Sequence, residues 1–163
     1  MILTLWRHGE AESNCSDEQR ALSPLGREHS RVMAASYEQW RSSAGIAPVA
    51  AVLCSPYRRT RETAELLVDT MQPGRLEMLA ALAPGARLES FTEAQFEASR
   101  HIIFVSRQPF VSQAISYWAD EEMLAPLAPG GYSALDVLSL QRGGVSLARH
   151  CPDPRVVMRE GSI

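Results

Sequence analysis

Three short apolar runs, residues 1–6, 49–53 and 102–105, each give way to a polar segment that carries arginine. Those segments are Arg7-His8-Gly9-Glu10, Ser55-Pro56-Tyr57-Arg58-Arg59 and Ser106-Arg107-Gln108-Pro109. Runs this short and continuous suit strands buried on both faces, which requires helices on either side of a sheet. The stretches between them supply the helices. Ser23-Pro24 is a start signal, with a capping serine and a proline in the first turn, and Leu25, Val32, Met33, Tyr37 and Trp40 follow near helical spacing to about residue 41. Ser55-Pro56 repeats the signal, and Ala64, Leu67, Val68 and Met71 fall on one helical face. After Pro109, Val111, Ala114, Ile115 and Trp118 do the same. A short strand is expected over 76–79 and a weak helix over 91–99, while residues 9–22, 80–90 and 120–131 read as loops. Residues 133–140 and 145–150 flank Gln141-Arg142-Gly143-Gly144 as a hairpin. The predicted fold is α/β: a three-layer α/β/α arrangement, its sheet mostly parallel with an antiparallel C-terminal edge.

The 163 residues suit one domain, 1–163, and 45% apolar with 21% charged residues is an ordinary globular mixture. A net charge of -3 argues against non-specific nucleic-acid binding, which needs a basic field. No apolar run reaches the roughly 18–20 residues of a membrane span, and residues 1–6 are too short for a signal-peptide core. Cys15, Cys54 and Cys151 form neither a disulfide framework nor a zinc pattern. The expectation is a cytoplasmic monomer with no metal and no cofactor. The chain contains no lysine, so all 16 basic side chains are arginines.

Ligands of open α/β sheets bind beyond the carboxyl ends of the strands. All three arginine segments lie there, two lead into helix N-termini that favour anions, and guanidinium groups grip phosphate with paired donors. The pattern predicts a phosphoryl-binding pocket containing one histidine, His8. Taken singly, each segment is an ordinary helix-flanking stretch; their joint placement carries the argument.

Leu5-Trp6-Arg7-His8-Gly9-Glu10 resembles the signature of the histidine phosphatase superfamily, which includes the phosphoglycerate mutases. Leu22-Ser23-Pro24-Leu25-Gly26 is similar to a second element of that family. Ser55-Pro56-Tyr57-Arg58-Arg59-Thr60-Arg61-Glu62-Thr63 is similar to a third, whose phosphate-binding arginine falls on Arg59 rather than Arg58. Chain length, Leu82-Ala83-Pro84 and the closing hairpin look most like the SixA-type phosphohistidine phosphatases. The resemblance implies a phosphoglycerate mutase-like fold and a phosphoenzyme formed on His8, with Arg7 and Arg59 on the phosphoryl oxygens. Asn14 stands where mutase-like members carry a phosphate-contacting asparagine. One departure is clear: the family places a second histidine where this chain has Arg107. Arg107 can hold phosphate and keep His8 neutral, but it cannot move protons near neutral pH. His29, His101 and His150 read as partly exposed structural residues.

Phosphate-ester members add a carboxylic acid for the leaving group, and residues 79–87 hold no Asp or Glu. That favours phosphohistidine as substrate, carried on a protein or a small phosphorylated molecule, with an ester phosphatase or a non-catalytic phosphate or phosphoprotein binder as alternatives. Glu10, Glu89 and Glu93 are the other candidate acids, each expected to be an ordinary surface or loop carboxylate.

Overall fold

The computed structural model describes residues 1–85, 87–96 and 98–161. Its strands are β1 (Ile2–Arg7), β2 (Ala51–Cys54), β3 (Arg75–Met78), β4 (His101–Ser106), β5 (Tyr132–Val137) and β6 (Val145–Cys151). Its helices are α1 (Pro24–Ser43), α2 (Arg58–Met71), α3 (Phe110–Ala119) and α4 (Pro154–Glu160). The sheet order is β3-β2-β4-β1-β5-β6. β1 to β4 run parallel, and β5 and β6 close the far edge antiparallel, as the hairpin pattern predicts.

Alternating side chains divide β1 and β4 between two cores. Leu3, Leu5, Ile102 and Phe104 face Val111, Ala114, Ile115 and Trp118 of α3. Trp6, Ile103 and Val105 face the other way, onto Met33 and Tyr37 of α1 and Leu67 of α2. The layers are therefore helix, sheet, helix, and the α/β expectation holds. No helix among the described residues is long and apolar enough to cross a membrane.

Local signals succeed and fail for physical reasons. Ser23 caps α1 as expected, its Oγ accepting from Gly26 N at 3.0 Å. Ser55 does not cap α2, which starts at Arg58 after Tyr57. The Ser55 hydroxyl is fully buried and pairs with Thr60 Oγ1 at 2.8 Å, bracing the turn before the helix. The expected helix over 91–99 is a 3-10 turn, Glu93–Phe96, with position 97 outside the described residues. Phe91 and Phe96 both bury on the α3 side, a five-residue spacing that an α-helix does not bring to one face. Position 86 of the expected loop over 80–90 also lies outside the described residues. α4 is an addition: Asp153 caps Arg155 N ahead of Pro154, but the apolar residues after it are too few to announce a helix.

Candidate active site

β1, β4 and β2 are neighbours in register, with Trp6 and Cys54 both opposite Val105 and Arg7 opposite Ser106. Their carboxyl ends therefore finish side by side. Beyond them, His8 N donates to Ser106 O at 3.0 Å and Ser55 N donates to Val105 O at 3.1 Å. The three segments that the sequence singled out meet at one sheet edge. Ser106 Oγ also donates to Leu82 O at 2.9 Å, tying the Leu82-Ala83-Pro84 segment beneath them.

The hydrogen bonds of His8 define its tautomer. Its Nδ1 lies 2.7 Å from Gly9 O, which can only accept, so Nδ1 carries the proton. Its Nε2 lies 3.0 Å from Arg59 Nε, which can only donate, so Nε2 presents its lone pair. Burial pushes the imidazole down to a pKa of about 4, and the charges of Arg59, Arg7 and Arg20 add to this against the Gly9 bond. A neutral imidazole whose Nε2 keeps its lone pair is in the protonation state that a nucleophile needs, although here that lone pair accepts from Arg59.

Arg59 is 3% exposed, although it is charged. Besides His8, it reaches the Asp17 backbone carbonyl through Nη1 and the Asp17 carboxylate through Nη2 at 3.3 Å. Arg107 Nη1 reaches the same Oδ2 at 2.9 Å. Both guanidinium groups lie over the Tyr57 ring, at 5.0 and 5.2 Å from its centroid. Arg7 donates to Leu127 O at 2.7 Å, and burial lowers its basicity. Arg7 Nε and Arg107 Nε are buried without a hydrogen-bond partner among the described residues, donors that an oxyanion would satisfy. Asn14 is exposed three positions before Asp17 and takes no part in these contacts.

The motif glycines act on packing. A Cβ on Gly9 would stand 2.8 Å from both Gly26 O and Ser30 Oγ, so the close approach here is to α1. Gly9 N donates to Thr63 Oγ1 at 3.0 Å, which locks the loop after His8 to α2. Glu62, one residue earlier, accepts from Leu22 N at 2.7 Å and pairs with Arg27 and Arg58. The last turn of the third motif is thus structural support for the first.

The other histidines do not join the site. His101 is fully buried at the opposite end of β4, between Tyr37 OH at 2.6 Å and Ala47 O at 2.8 Å. His29 is also buried, on the inner face of α1, so for these two the expected partial exposure is wrong. His150 is half-buried and meets Ser133 Oγ at 2.8 Å. Glu93 caps Leu140 N and lines a cavity at the amino end of the sheet, and Glu10 accepts from Ser23 Oγ at 2.9 Å. Glu89 is exposed. No cluster of three or more His, Cys, Asp or Glu among the described residues is placed to hold a metal ion. Sequence reasoning missed Asp17, Tyr57 as a platform for two arginines, and the Leu127 carbonyl.

Residues 3–83 match the model of the histidine phosphatase superfamily (branch 1), and the chain belongs to that superfamily. Among solved structures, it is similar to the protein histidine phosphatase SixA complexed with tungstate. The TM-score is 0.80 at 22% identity, over 96% of this chain and 99% of that one. A SixA-type protein from Agrobacterium tumefaciens matches with a TM-score of 0.70 at 16% identity, over 91% and 95% of the two chains. A mycobacterial glucosyl-3-phosphoglycerate phosphatase bound to inorganic phosphate matches with a TM-score of 0.65 at 15% identity, over 94% and 98%. At these identities the likeness is one of fold. No curated protein sequence matches the chain.

Proposed function

We propose that this protein is a phosphohistidine phosphatase of the SixA type, working through a phosphoenzyme on His8. The observation that carries the proposal is the neutral, buried His8, its Nε2 lone pair directed at Arg59 and its Nδ1 fixed by Gly9. Nε2 attacks phosphorus in line, forming an N–P bond as the bond to the leaving group breaks. Water then cleaves that N–P bond, releasing inorganic phosphate and returning His8. Arg7, Arg59 and Arg107 hold the equatorial oxygens and offset the charge spread over them. Asn14, exposed on the loop that carries Asp17, is a further candidate contact to phosphate.

The substrate class follows from the acids. Glu10 and Glu93 are engaged elsewhere, and residues 79–87 contain no carboxylate. Burial raises the Asp17 carboxyl, but bonds and charge from Arg59, Arg20 and Arg107 outweigh it and hold the group below its usual range. An ionised Asp17 is no proton donor. A phosphoramidate, whose leaving nitrogen is more readily protonated than an alkoxide is formed, suits such a site better than an ester does. The partner would be a phosphohistidine-bearing protein or a small phosphorylated molecule. A single domain, a monomeric state and a cytoplasmic setting complete the reading.

The test is to supply a peptide carrying radiolabelled phosphohistidine and, in parallel, a labelled aryl phosphate ester. Acid-labile label should appear on the wild-type protein from the phosphohistidine peptide and be absent from a folded His8→Ala variant. A labelled, active His8→Ala protein overturns the mechanism; faster turnover of the ester overturns the substrate class.

A further inference from the structure

The arginines proposed to bind phosphate already hold an anion that belongs to the chain. Asp17 Oδ2 is shared by Arg107 Nη1 at 2.9 Å and Arg59 Nη2 at 3.3 Å, and the Asp17 backbone carbonyl takes Arg59 Nη1. Among the described residues it is the carboxylate that bonds both arginines. We propose that Asp17 is a built-in occupant of the phosphoryl site, parking Arg59 and Arg107 until the phosphoryl group of a substrate displaces it. The inference rests on the reading of this site as a phosphoryl pocket.

Three features support displacement rather than a permanent strut. First, the parked arrangement is not a reactive one. With both Nη atoms held by Asp17, Arg59 turns its Nε–H onto His8 Nε2 at 3.0 Å, the lone pair that must attack. Releasing Asp17 frees the cation and the nucleophile together. Second, release is cheap. The Asp17 side chain is 50% exposed, so half of its hydration is already in place. Arg20, three residues on in the same loop, lies 3.4 Å from Oδ1 and can keep the displaced carboxylate paired. Third, the competitor is stronger: a phosphoryl dianion offers more charge and three acceptor oxygens to the same guanidinium forks. The device also depends on the departure from the family motif. Arg107 stands where the motif reads histidine, and its longer side chain supplies the Nη1 that reaches Asp17.

The test is calorimetric titration of inorganic phosphate into the wild type, Asp17→Asn, Asp17→Ser and Glu18→Gln, and into Arg107→Ala with and without Asp17→Asn. Glu18 is exposed on the same loop and serves as the control for diffuse charge. Removing the occupant should tighten phosphate about tenfold, equivalent to about 1.4 kcal/mol, in both Asp17 variants. Glu18→Gln should change affinity less than about twofold, as expected of a screened surface charge. The gain from Asp17→Asn should shrink when Arg107 is absent, since the two groups act as a pair. Equal or weaker phosphate binding by both Asp17 variants overturns the inference while leaving the phosphoryl pocket standing. An equal gain from Glu18→Gln overturns it too. No phosphate binding by any of the proteins refutes the pocket itself and the inference with it.

Discussion

Substituting Gln for His8 removes an imidazole whose basicity the fold suppresses, and the pH dependence of stability reports that loss. His8 is 8% exposed, and its pKa falls from 6.5 to about 4, through burial first and then the charges of Arg59, Arg7 and Arg20. In the unfolded chain the ring returns to its ordinary value. Between those two values the unfolded chain binds a proton that the folded chain refuses, so stability rises with pH across that window. The contribution is fully present above about pH 6.5 and is lost as pH falls through about 4. At about 1.4 kcal/mol per pKa unit, the wild type should lose about 3 kcal/mol more than His8→Gln between pH 7 and pH 4. His101 and His150, whose basicity is also lowered by burial, are common to both proteins and cancel in the difference. Urea midpoints followed by circular dichroism at a series of pH values give the difference directly, and imidazole nitrogen shifts give the His8 titration in the folded chain. A ring that titrates near its ordinary value, or a stability gap that does not change with pH, would refute the assignment of a buried neutral nucleophile.

Arg59→Ala should weaken vanadate binding about 10- to 150-fold, the equivalent of one charge-assisted hydrogen bond. Arg58→Ala, which removes a half-exposed partner of Glu62, should change it little; calorimetry giving the reverse order would shift the motif by one residue. Arg107→His restores a group able to move protons, and should raise turnover by up to about 10²–10⁴ while loosening phosphate. Steady-state kinetics in which the Arg107 form is the faster enzyme would make Arg107 itself a working catalytic group. Gly26→Ala places a Cβ 2.1 Å from Glu10 O and 2.8 Å from Glu10 N, so backbone must move. It should cost about 1–3 kcal/mol, visible as a lowered melting temperature, and an unchanged melt would show that the contact relaxes freely.

The strands were legible because burial on both faces writes them as continuous apolar runs, and α1 because its cap and proline act within four residues. The start of α2 was not, because Ser55 spends its hydroxyl on Thr60, a choice made by the buried turn rather than by the dipeptide. His8 and the three arginine segments were legible from their positions at strand ends, whereas the choice of Arg59 over Arg58 came from the resemblance to the family motif; the structure brings the segments to one edge. Asp17 was not, for two reasons. It lies 42 residues from Arg59 and 90 from Arg107 in sequence. It also sits in a polar loop where Glu12 and Glu18 look equivalent to it. The packing part of Gly9 was not legible either, because the backbone it lets close belongs to α1, outside its own motif.

The central place of β1 governs how this molecule can be made. Its partners are β4, with Ile2 opposite His101, and β5, with Ile2 opposite Asp136. Synthesis makes residues 2–7 before either partner, and no strand that can flank them exists until residues 101–106 and 132–137 have followed. His8, just past the end of that strand, therefore has no fixed place until those partners are made. Sequence separations of this size make for high contact order and slow closure of the sheet. During that interval an apolar segment ending in Arg7-His8 is open to chaperones, proteases and other chains. A nascent chain halted before β5 therefore carries all three arginine segments without one of the two strands that flank β1.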